Sequence, residues 1–84
     1  MNVSKEIVFR KEFDGSALLF NPVTGETFGL NRTSTFLWEK FAEGMDAEAA
    51  LAALKEVCGG NLPESAADDV AAFIAQLKEK NYLI

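Results

Sequence analysis

Cys58 is the only thiol in the sequence, and no histidine is present to deprotonate it. Nucleophilic catalysis needs a base within hydrogen-bond reach of the nucleophile, and histidine is the commonest choice. Cys58 also falls on the apolar side of a helical stripe, so it is expected to be a small core residue. A single cysteine cannot close an internal disulfide, which fits a reducing, cytoplasmic setting. Asp68-Asp69 is a carboxylate pair of the kind used in metal or acid–base work. Adjacent helical positions point about 100° apart, however, and no third ligand lies near in sequence, so the pair is expected on a solvated face. Ser65 and Thr33 are read as helix caps. Cys58-Gly59-Gly60-Asn61 lacks the lysine and the strand–loop–helix setting of a phosphate loop. The expectation is a binding domain with no catalytic residue, no metal site and no cofactor.

Composition points the same way. Eight Lys and Arg face thirteen Asp and Glu, a formal charge of −5, which argues against a nucleic-acid partner. A chain of 84 residues buries roughly 60–65% of its unfolded surface, enough for one modest core and too little for a deep catalytic cavity. No run approaches the ~18 apolar residues that span a membrane, and no basic stretch followed by an apolar one opens the chain. No membrane partner is expected.

These residues must be held by two kinds of element, which divide near Asn31. Alternation from Glu6 to Phe13 predicts a strand over about 6–13, with Ile7, Phe9 and Phe13 on one face. Asp14-Gly15 reads as a two-residue turn, because glycine tolerates the positive φ such loops require. Ala17-Leu18-Leu19-Phe20 is a second strand (17–20). Asn21-Pro22-Val23-Thr24-Gly25 is a second turn, and residues 26–30 form a third strand with Phe28 and Leu30 sharing a face. Three helices follow over about 32–43, 47–58 and 64–80. Asn31 or Thr33 caps the first, whose apolar face is Phe36, Leu37, Trp38 and Phe41 before Gly44. Asp46 caps the second, with Ala50, Leu51, Leu54, Val57 and Cys58 on its stripe before Gly59-Gly60. The third carries Ala66, Val70, Phe73, Ile74 and Leu77, and the tail Asn81 to Ile84 is expected to pack back on the core. The fold class is α+β over a single domain, 1–84: a three-stranded antiparallel β-meander followed by three α-helices, winged helix-turn-helix-like.

A winged-helix shape raises DNA binding or a transcriptional role as one reading. Charge opposes it: from Arg32 onward there are five basic and nine acidic residues, and the would-be recognition helix starts with Glu64, Asp68 and Asp69. A second reading comes from the strand edges. The first strand carries Glu6, Arg10, Lys11 and Glu12, charges that discourage pairing with another chain. The third, from Thr27 to Asn31, is uncharged and contains Gly29, whose missing side chain permits close approach by another backbone. Such an edge accepts an extended peptide as an added strand. It can equally pair with a second copy, as a homodimerising adaptor, or lie covered by the third helix or the tail.

At Leu30-Asn31-Arg32-Thr33, followed by Leu37-Trp38 and then Gly44, the sequence resembles the PqqD-like family. The resemblance extends through Leu19-Phe20-Asn21-Pro22 to Gly25, the Asp69-Val70 to Phe73-Ile74 to Leu77 stripe, and Leu83-Ile84. It implies a peptide chaperone that binds the leader of a ribosomally made precursor peptide and presents it to a modifying enzyme, often a radical S-adenosylmethionine protein, as in cofactor biosynthesis. It further implies that the leader lies against the third strand beside the third helix. The implied peptide-binding residues are Thr27, Phe28, Gly29 and Leu30, with Val70 and Ile74 on the groove wall and Phe73 and Leu77 facing inward. The chain departs from the pyrroloquinoline quinone members in its Asn21-Pro22-Val23-Thr24-Gly25 turn, in Ser34 after the helix-one threonine, and in Asn81 or Tyr82 where a penultimate glycine is usual. These departures place it among the broader PqqD-like proteins.

Overall fold

Strands β1 (Val8–Lys11), β2 (Ala17–Phe20) and β3 (Thr27–Leu30) pair antiparallel in the order β1-β2-β3. Helices α1 (Arg32–Ala42), α2 (Ala47–Val57) and α3 (Ala66–Glu79) follow. The computed structural model describes residues 2–84 and has the expected α+β order of meander then helices. Pairing sets four cross-strand rows: Val8–Phe20–Thr27, Phe9–Leu19–Phe28, Arg10–Leu18–Gly29 and Lys11–Ala17–Leu30. Because side chains alternate across a strand, the second and fourth rows face the helices, and there Ala17, Leu19 and Leu30 are buried. They meet Leu37, Trp38 and Phe41 of α1, Leu54 of α2, and Phe73 and Leu77 of α3 in one core.

The first strand is half the expected length, and the reason is its turn. The Glu12 N–H donates to the Ser16 carbonyl at 2.8 Å, and the Gly15 N–H donates to the Glu12 carbonyl at 3.2 Å. The loop therefore has three residues, Phe13-Asp14-Gly15, with Gly15 at φ +90°, the type I turn plus bulge that hairpins of this length adopt. The third loop residue puts Phe13 at the tip, fully exposed, rather than on the inner face with Ile7 and Phe9. Asp14 Oδ1 accepts from the Ser16 Oγ–H at 2.6 Å and the Ser16 N–H at 3.0 Å, and Arg32 Nε donates to the Asp14 carbonyl at 2.7 Å. That last bond ties the loop to the start of α1.

Local chemistry sets the helix ends. Asn31 Oδ1 accepts from the Ser34 N–H at 2.8 Å and Asp46 Oδ1 from the Ala49 N–H at 2.9 Å, each satisfying a donor the helix leaves orphaned. Thr33 lies inside the first turn and is no cap. Ser65 stands at the α3 N-cap without a capping bond; its Oγ lies 3.4 Å from Asp69 Oδ2 instead. All three helices end in one motif, with a left-handed residue followed by an N–H that bonds five residues back. Met45 bonds Lys40, Gly60 bonds Lys55, and Tyr82 bonds Leu77. The left-handed residue is Asn81 at the end of α3, with φ +62°. Asn81, rather than Tyr82, thus performs the backbone role of the missing glycine, as asparagine can.

Two expected core residues lie elsewhere. The last turn of α2 runs beyond cover, leaving Val57 and Cys58 exposed. Cys58 is still in line with Leu54 along the stripe, but it borders an open hollow rather than a packed neighbour. The tail does pack back: Tyr82 and Leu83 are buried, Val3 pairs with Leu83, and the Ser4 N–H donates to the Tyr82 carbonyl at 2.8 Å.

Candidate functional site

In an antiparallel ladder, successive residues of a strand direct their N–H and C=O groups alternately to the two sides. The Asn21 N–H donates to the Glu26 carbonyl at 2.9 Å, which sets the phase for β3. Glu26, Phe28 and Leu30 address β2, and Thr27 and Gly29 direct their backbone groups outward. On β1, the Glu12–Ser16 bond sets the phase in the same way, and Phe9 and Lys11 face outward. Among the described residues, no hydrogen bond reaches the outward groups of Thr27 or Gly29.

What borders this free edge comes mostly from α3 and the tail. The Phe28 ring, half-buried on the inner face, lies 6.5 Å from Phe73 and 6.5 Å from Tyr82, the second pair edge-to-face at 73°. Lys80 Nζ stands 5.6 Å above the same ring and forms an ion pair with Glu26, the residue just before β3. The hydrogen bond to Glu26 raises the Lys80 pKa above its ordinary value, against an opposing effect of desolvation. One end of the edge is thereby pinned to the end of α3. At the other end, where β3 gives way to Asn31, a hollow of about 410 Å³ opens between α1, α2 and α3. Leu37, Leu54, Leu62, Val70 and Phe73 form its apolar wall, with Asp69 at its border.

The six residues singled out in the sequence separate into three groups. Thr27 and Gly29 are exposed and offer backbone, Phe28 forms the floor beside α3, and Leu30 is core at 4% exposure. On α3 burial does not separate Val70 and Ile74, expected on the groove wall, from Phe73 and Leu77, expected to face inward. All four are buried, at 4%, 8%, 8% and 0%. All four belong to the core; Phe73 also meets Phe28 and lines the hollow with Val70, which Ile74 does not. Every apolar position on that stripe looks alike in sequence, and only the crossing of α3 over the sheet decides which one fronts β3. Lys80, Glu26 and Tyr82 border this edge and were not among the expected residues. The local signal was a lysine at the C-terminal end of α3, explained equally well by the helix dipole.

The arrangement offers hydrogen-bonding backbone and apolar surface. Among the described residues no three His, Cys, Asp or Glu side chains converge as a metal site, and no helix is long and apolar enough to cross a membrane. Asp68 and Asp69 occupy the first turn of α3, the end a DNA-reading helix would direct at bases and phosphates.

Comparison with known proteins agrees with this geometry. The chain matches the family described as coenzyme PQQ synthesis protein D (PqqD) over residues 16–83. None of the curated proteins matches it. TbiB1, solved in complex with the TbiA(beta) leader peptide, is 25% identical with a TM-score of 0.79, and the match covers 99% of this chain and 94% of that one. A lasso peptide synthetase B1 complexed with the leader peptide has the same fold at 21% identity and TM-score 0.79, covering 99% and 95%. With the family match running from the first hairpin turn to the penultimate residue, on a fold shared along almost the whole length, this chain belongs to the PqqD family.

Proposed function

We propose that this protein is a non-catalytic peptide chaperone, which binds the leader of a ribosomally synthesised precursor peptide as a fourth strand along β3 and presents it to a modifying enzyme. The observation that carries this reading is the pair of outward backbone positions, Thr27 and Gly29, on an uncharged edge bordered by α3. The leader-bound state of TbiB1, a protein of the same fold, supports it. Two residues offer up to four main-chain hydrogen bonds, each worth about 1 kcal/mol net. Together these give about 4 kcal/mol, which the cost of association, about 4–15 kcal/mol, consumes. Micromolar binding therefore depends on apolar side chains, and the Phe28–Phe73 surface and the hollow beyond Leu30 are where a leader buries them. Catalysis resides in the enzyme partner, for which the sequence resemblance implies a radical S-adenosylmethionine protein as one type.

Isothermal titration tests the reading with two synthetic peptides, the TbiA(beta) leader and the leader of a precursor encoded beside this gene. The neighbouring leader is expected to bind with low-micromolar affinity, and the heterologous one more weakly. Absence of binding by both up to about 100 μM overturns it.

A further inference from the structure

Gly29 has no reason within this chain to be glycine. The other five glycines all adopt positive φ, between +68° and +93°, and Gly29 does not. Pairing runs unbroken through it, Phe28 to Leu19, Gly29 to Leu18 and Leu30 to Ala17, so it marks no bulge. A β-carbon at position 29 would meet only Leu18 Cδ2, at 4.0 Å, an ordinary contact. Glycine inside a strand weakens it, and where neither a bulge nor a bend requires one, close approach by another molecule remains as the reason. The residue also sits where that approach would occur, with its N–H and C=O directed off the free edge.

Its face matters as much as its edge. Gly29 lies in the Arg10–Leu18–Gly29 row, on the side of the sheet away from α3. The solvated face of an antiparallel sheet is ordinarily polar. This one carries Val8, Leu18 and Phe20 at 52%, 37% and 41% exposure. A peptide strand added along β3, in either direction, places alternate side chains on the two faces. Those in register with Phe28 go towards α3. The one in register with Gly29 goes to the outer face, where no β-carbon separates it from Leu18. A large side chain laid across an edge glycine is a recognised way to stabilise such a pair.

We infer that Gly29 opens a second subsite, on the outer face of the sheet, which takes one aromatic or large aliphatic side chain of the bound peptide and seats it against Leu18. This rests on the strand-addition reading and deepens it: the ligand class becomes an extended peptide with apolar residues on both faces.

The test selects a phage-displayed library of random twelve-residue peptides separately on the wild-type protein and on Gly29→Val, each shown folded by circular dichroism. The wild type is expected to enrich peptides with a large apolar residue at one position flanked by residues for the α3 side. On Gly29→Val that position alone should move to Gly, Ala or Ser. Leu18→Ser, at a site already part-exposed, should bind the wild-type consensus peptide about tenfold more weakly, and it decides the matter alone if the valine variant does not fold. The same residue preference on wild type and Gly29→Val, or undiminished binding by Leu18→Ser, overturns the subsite while leaving strand addition intact. No enrichment on the wild type overturns strand addition and the subsite with it.

Discussion

The two outer strands of this sheet have the same length and the same geometry, yet present opposite surfaces. On β1 the outward backbone groups belong to Phe9 and Lys11, among charged neighbours: Arg10 pairs with Glu12 at 3.6 Å and Lys11 with Glu39 of α1 at 3.2 Å. On β3 they belong to Thr27 and Gly29, and no charge lies between Glu26 and Arg32. Unpaired backbone invites pairing on either side, and lysine on an edge is a common way to discourage it. The difference shows that a three-stranded sheet can be open on one edge by composition alone. Behind β3, Phe73 of α3 and Tyr82 of the tail then add apolar surface beside the open edge.

The largest effect should come from removing one outward N–H on each edge in turn. Proline is tolerated in edge strands where its nitrogen faces away from the ladder, and both Gly29 and Lys11 meet that condition. If the leader adds along β3 as proposed, Gly29→Pro deletes a donor to it and leaves a peptide carbonyl unpaired, so leader affinity measured by titration should fall by about 10- to 100-fold. Lys11→Pro should leave affinity unchanged to within about twofold. Equal loss in both variants would mean that the leader does not distinguish the edges.

A smaller effect separates the ion pairs that hold each edge. Lys80 joins the end of α3 to Glu26 and stands over the Phe28 ring, whereas Lys11 meets only Glu39 and is more exposed. Lys80→Met should therefore lower the melting temperature by about 2–4 °C, and Lys11→Met by less. The sign with pH follows from the raised Lys80 pKa. Its contribution is full below the ordinary lysine value and fades as pH rises through the raised one, so wild type and Lys80→Met should converge at strongly alkaline pH.

Much of this asymmetry is legible in the sequence, because charge along a strand is a local property. So are the caps at Asn31 and Asp46 and the inner-face pairing of Phe28 with Leu30, each set by residues within a few positions. What escapes is whatever depends on distant elements. The Lys80–Glu26 pair spans 54 positions. Whether Cys58 is buried depends on how far α3 covers α2, and whether Val70 or Phe73 fronts β3 depends on the rotation of a helix whose whole stripe is apolar. The exposure of Phe13 turned on one loop residue, and a strand pattern cannot count those. Gly29 is the opposite case: visible at once as a strand glycine, but informative only when the structure shows that nothing inside the chain calls for it.

The weakest anchor is at the closed edge, and it should be the most sensitive to acid. Two hydrogen bonds from Ser16, side chain first and then backbone, hold the Asp14 carboxyl below the usual carboxylate range, with Arg32 adding a favourable charge. A lowered pKa means stability that is complete above the unfolded value and lost as pH falls through the folded one. Asp14 is solvent-exposed, so the contribution is small. Its position still matters, because its carbonyl accepts from Arg32 Nε and so fixes the β1–β2 loop to the start of α1. Asp14→Asn should be slightly less stable than wild type at pH 7 in urea unfolding. That gap should begin to close as pH falls past the ordinary carboxylate value of about 4, and close further as it falls through the lowered folded value. A constant gap from pH 7 to pH 3 would show that the Ser16 turn holds the loop without the charge. The closed edge would then owe its anchoring to geometry alone, unlike the ion-paired start of β3.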